Sequence, residues 1–89
     1  MGAKKRGKDQ IVYEILKICN GRGVIITKIA GTSNLNFRSM PKYINLLVEN
    51  ELVEIVREDA TLYRTTQKGT IALRLLEQLR ELIPGYVSS

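Results

Sequence analysis

Apolar positions recur along this chain first with helical spacing, then with the alternation of strands, then with helical spacing again. Ile11, Val12, Ile15, Leu16, Ile18 and Cys19 form a broad stripe on a first helix, with Asp9 placed to cap its start and Gly21 or Gly23 to end it. Val24-Ile25-Ile26 is a short β-branched run that either forms a small strand or leads, buried, into the next helix. Thr27 can cap a short second helix over residues 28–32 with Ile29 and Ala30 inward, and Gly31-Thr32-Ser33-Asn34 has the composition of a turn. From Phe37 to Glu51 the chemistry divides by face. Phe37, Met40, Ile44, Leu47 and Val48 fall on one side, and Arg38, Lys42, Asn45 and Glu49 on the other. Pro41 would break such a helix anywhere but its first turn, so a start at Ser39 is expected, with residues 36–38 as a lead-in.

Leu52 to Arg57 then alternates as a strand with Val53 and Ile55 on one face, Glu58-Asp59-Ala60 turns, and Thr61 to Thr65 returns. Thr65 or Thr66 caps a last helix that begins at about Gln67 and is stopped by Pro84-Gly85. A helix of about 17 residues is roughly 25 Å long, which is more than a small core can cover. Ala72, Leu76, Leu79 and Ile83 are spaced like a coiled-coil seam and Leu75 and Leu82 widen it, so these six side chains are the expected homodimerisation surface. The fold class expected from this pattern is α+β, mostly α: a winged helix-turn-helix of three helices and a two-stranded wing, followed by a C-terminal helix. Residues 1–8 read as a flexible basic arm, 9–66 as the winged domain, 67–84 as the dimerisation helix and 85–89 as a tail.

Composition narrows the chemistry. Eighty-nine residues, 44% of them hydrophobic, make one small domain with an ordinary core. With Cys19 as the sole cysteine and no histidine, an internal disulfide framework, Cys/His zinc sites and Ser-His-Asp or Cys-His nucleophiles are excluded. Cys19 itself reads as an inert core thiol. No cofactor is implied, and an enzyme has almost no support. No apolar run approaches the roughly 18 residues of a membrane span, and the start MGAKKRGK lacks a hydrophobic signal region, so a cytoplasmic, nucleoid-associated location is expected.

The net charge of +5 is unevenly spread. Residues 1–48 carry nine cations and two acids, whereas residues 49–89 carry five cations and seven acids. A positive field over the arm and the helix-turn-helix half suits a polyanion such as duplex DNA. Phosphate contacts are expected from Lys28, Lys42 and the arm residues Lys4, Lys5 and Arg6. Base-edge contacts are expected from Arg38 and Asn45, with Ser39 and the turn residue Ser33 beside them, because Arg pairs with guanine and Asn with adenine in the major groove. On the wing, Glu58 and Asp59 at the tip repel phosphates, which leaves Arg57 and Arg64 on the flanks.

Several stretches resemble an archaeal winged-helix family of predicted transcriptional regulators that includes small chromatin-associated DNA-binding proteins. They are Asn34-Leu35-Asn36-Phe37 leading into Lys42-Tyr43-Ile44, Leu46-Leu47-Val48-Glu49 before Leu52-Val53, and Tyr63-Arg64-Thr65-Thr66-Gln67-Lys68-Gly69 at the start of the last helix. The resemblance covers residues 9–83 and implies binding to double-stranded DNA as a dimer, with C-terminal helices paired in an antiparallel coiled coil. The competing reading is a winged-helix protein-interaction adaptor that binds no DNA of its own.

Overall fold

The computed structural model describes residues 7–33 and 38–84. The order of elements is α1 (Lys8–Ile18), α2 (Ile26–Ser33), α3 (Met40–Glu49), β1 (Val53–Arg57), β2 (Thr61–Thr65) and α4 (Gln67–Leu82). The expected winged helix-turn-helix is thus present, mostly helical with one antiparallel hairpin. The core lies where α1 meets α2, α3 and α4; Ile15, Leu16, Cys19, Ile29, Met40, Leu47 and Val53 are its most deeply buried side chains. Burial pushes the Cys19 thiol up to about 12, so it stays protonated and unreactive at neutral pH.

The ends of the elements show where tertiary contacts overrode local signals. Helix α1 begins at Lys8 with Gly7 as its N-cap, not at Asp9, whose carboxylate instead accepts the Gln10 N–H at 2.9 Å. It stops at Ile18 with Cys19 as C-cap, before either glycine. The glycine at 23, with φ of +105°, brings the chain against β2, where Val24 exchanges two backbone hydrogen bonds with Tyr63 at 3.0 and 2.8 Å. Helix α2 starts before Thr27 and continues through Gly31, Thr32 and Ser33, so the turn expected there is helical; docking of Ile29 and Ala30 into the core holds a polar end in helix. Asn34, Leu35, Asn36 and Phe37 lie outside the described residues. Helix α3 has Ser39 as N-cap and Pro41 within its first turn, as the proline required.

Helix α3 ends in a Schellman arrangement: Leu52 N–H bonds to Leu47 C=O at 2.8 Å and Glu51 N–H to Val48 C=O at 3.0 Å. This puts Glu51 at φ +63°, a position that glycine normally fills. The start of α4 holds it there. Thr66 Oγ1 donates to the Glu51 carbonyl at 2.6 Å and accepts from Gly69 N–H at 3.0 Å, while Thr66 N–H donates to Leu52 C=O at 2.9 Å. Glu51→Gly is therefore expected to stabilise the fold by about 0.5–1 kcal/mol, since relief of the left-handed strain exceeds the added chain entropy. Urea unfolding reads this directly, and a lower midpoint for the variant would show that the Glu51 side chain contributes more than its backbone strain removes.

The hairpin pairs Val53 with Thr65 and Arg57 with Thr61, and its base is fastened to α1. Thr65 N–H donates to Cys19 C=O at 3.0 Å and Thr65 Oγ1 to Leu16 C=O at 2.7 Å. Val53 is buried at this base, whereas Ile55, on the same face two residues outward, is exposed because the wing has left the core. Helix α4 packs along α1, where the Arg80 guanidinium lies 4.7 Å from the Tyr13 ring centroid. Its end at Leu82, with Ile83 outside the helical region at φ −129° and ψ 81° before Pro84, follows from the steric restriction on a residue that precedes proline.

Candidate nucleic-acid interface

Helix α3 buries Met40, Tyr43, Ile44 and Leu47, which rotates Lys42, Asn45, Leu46 and Glu49 outward. The helical spacing that makes one face apolar therefore presents the other to a ligand. Packing of α1 adds a cation that the sequence pattern had assigned to the arm. Lys8, the first residue of α1, joins Lys42, Tyr43, Asn45, Leu46 and Glu49 around a shallow depression of about 310 Å³. The Lys42 ammonium also stands 5.8 Å from the Tyr43 ring centroid. Nothing in the sequence spacing could have joined Lys8 to residues more than thirty positions away; only the crossing of α1 over α3 does so.

Among the other expected DNA contacts, Arg38 is exposed just before α3 and Ser39 is half-buried at its cap. Lys28 is exposed on α2, and Ser33 ends that helix with its side chain outside the described residues. Arg57 is exposed near the wing tip. Arg64 is engaged by Glu54 across the hairpin, at 2.8 Å from Nε and 2.7 Å from Nη2, so its charge is largely compensated within the protein. Lys4, Lys5 and Arg6 lie outside the described residues. Among the described residues no set of His, Cys, Asp and Glu side chains is grouped to hold a metal ion, and no helix is long and apolar enough to cross a membrane.

The six side chains expected to form a dimer seam divide between two faces of α4. Ala72, Leu76 and Leu79 are half-buried against the protein's own core, on the side of the buried Leu73. Leu75 points away from that core at 56% exposure, as does Leu82 at 78%, and Ile71 joins them at 56%. Ile83 is exposed at the C-cap. The helix is therefore apolar on two sides, and the outward strip runs Ile71, Leu75, Gln78, Leu82 with spacings of four, three and four residues.

A profile described as winged helix-turn-helix matches residues 5–84. The chain belongs to the winged helix-turn-helix family. An uncharacterised protein of Methanocaldococcus jannaschii is 34% identical over 79 residues, covering 89% of this chain and 36% of its own length. The chain thus spans about a third of that relative. A second uncharacterised protein of the same organism is 29% identical over 79 residues, covering 89% of this chain and 78% of the relative. Among solved structures, Sso10a-2, a DNA-binding protein from Sulfolobus solfataricus, superimposes with a TM-score of 0.76 at 26% identity, covering 86% of this chain and 81% of that one. These relatives of the winged helix-turn-helix chain are archaeal, as the sequence resemblance implied.

Proposed function

We infer that this winged helix-turn-helix protein binds double-stranded DNA with α3 in the major groove, as a small transcriptional regulator or a chromosome-organising protein of the nucleoid. The observation that carries the reading is the outer face of α3, where Lys8 and Lys42 flank the amide of Asn45 and Arg38 stands exposed at the helix entry. The family membership and the likeness to a DNA-binding protein support it. Lys8, Lys42, Lys28 and the arm residues Lys4, Lys5 and Arg6 serve phosphates, while Arg38 and Asn45 reach base edges. Arg57 is the wing's available cation; Arg64, held by Glu54, contributes less.

Titration of a labelled duplex at rising salt tests this. Affinity is expected to fall roughly 10³-fold between about 50 and 200 mM salt, as for about six neutralised phosphates. Absence of binding at low salt would leave the protein-interaction adaptor as the better reading.

The protein acts as a homodimer on this reading, through the outward strip of α4. Exposed leucines opposite a helix's buried face leave apolar surface that a second copy can cover. Leu75→Glu is expected to halve the sedimentation mass while each protomer stays folded, because Leu75 is exposed on the face away from the core. Leu79→Glu is expected instead to damage the fold, since Leu79 packs against the core. A monomeric wild-type chain at tens of micromolar would remove the dimer.

A further inference from the structure

Two outward side chains of α3 are poorly suited to phosphate. Leu46 is apolar and 47% exposed. Glu49 is an exposed carboxylate with no hydrogen-bond or ion-pair partner among the described residues. They stand beside Asn45 in the same depression that Lys8 and Lys42 line. A helix that only gripped the backbone would gain from cations at these places, since phosphate repels a carboxylate and gains nothing from a leucine.

We propose that Asn45, Leu46 and Glu49 form a base-reading set that makes duplex binding sequence-selective, with Glu49 selecting cytosine and Leu46 selecting thymine. This rests on the duplex-binding reading and deepens it. In the major groove a carboxylate accepts from the cytosine amino group and faces only acceptors on guanine. An exposed aliphatic side chain meets the thymine methyl, and an amide pairs bidentately with adenine. From Asn45 to Glu49 the helix rises roughly 6 Å, which is about two base-pair steps. The set therefore reads a short block containing an A·T-rich part next to a C·G pair oriented with cytosine toward Glu49. The carboxylate also acts against the wrong partner: over guanine or thymine it sits unsatisfied beside acceptors, which lowers indiscriminate binding.

Selection of duplexes from a randomised pool by the full chain, followed by titration of one selected and one scrambled duplex, tests the proposal. The wild-type protein is expected to favour the selected duplex at least about 30-fold. Glu49→Ala is expected to lose about tenfold discrimination at the cytosine position and to bind the scrambled duplex several-fold tighter. Leu46→Ala is expected to lose discrimination at the thymine position alone, and both variants should keep the wild-type unfolding midpoint because both side chains are exposed. Wild-type binding to selected and scrambled duplexes within twofold, unchanged in Glu49→Ala, overturns the proposal while duplex binding itself stands. Failure to bind any duplex at low salt overturns both.

Discussion

Replacing Arg38 and Lys42 together with alanine is expected to lower duplex affinity roughly 10²- to 10³-fold while moving the unfolding midpoint by no more than about 2 °C. Loss of a base-edge arginine weakens binding by about 1–3 kcal/mol, and loss of a phosphate-binding lysine reduces the salt slope by about one. Both side chains are exposed, and the contact of Lys42 with the Tyr43 ring, at 5.8 Å, is a weak surface cation–π interaction. The variant should therefore fold normally and fail only in binding. Fluorescence anisotropy at several salt concentrations, read beside thermal unfolding, separates the two effects. Survival of the affinity would move the interface away from α3, to residues 4–6 or to Arg57 on the wing.

Gly69→Ala is expected to destabilise the protein by about 3 kcal/mol, a drop of more than about 10 °C in the midpoint. A Cβ at position 69 would overlap the Leu52 carbonyl oxygen and come within 2.7 Å of Thr65 Cγ2. Neither neighbour can move cheaply. The Leu52 carbonyl accepts Thr66 N–H at 2.9 Å, Leu52 N–H is tied to Leu47, and Thr65 is bonded to both Cys19 and Leu16. The junction between α3 and α4 is thus a close backbone crossing that only glycine permits. Gly31→Ala is the matching control. Among the described residues nothing lies within 4 Å of a Cβ there, and the position is helical, so alanine should be neutral or stabilise by up to about 1 kcal/mol. Equal effects of the two substitutions would show that the crossing does not constrain position 69.

The Thr66-Gln67-Lys68-Gly69 stretch illustrates how far a sequence can be read. Thr66 is legible as a cap because a hydroxyl before a helix satisfies a free N–H, and the cap bond to Gly69 is present. Gly69 reads only as a tolerated glycine in a first turn; its necessity comes from the Leu52 carbonyl, which belongs to another element. The polar run Gly31-Thr32-Ser33 shows the opposite case, in which turn composition yields to a helix whose apolar residues dock. Leu46 follows the same logic. The helical spacing left Leu46 on neither face, and the rotation set by Met40, Ile44 and Leu47 turns it outward among the candidate DNA contacts.

Periodicity, caps and proline placement determined by themselves that this chain makes a helix-turn-helix, a hairpin and a long last helix, because those signals act within a few residues. Charge asymmetry made the first half of the chain the expected side for a polyanion. Tertiary structure alone decided which leucines of α4 face the core, that Lys8 stands with Lys42 and Asn45, and that Glu54 withdraws Arg64. Each of these depends on which surfaces of distant elements meet, and a local pattern has two or more faces to offer until packing chooses between them.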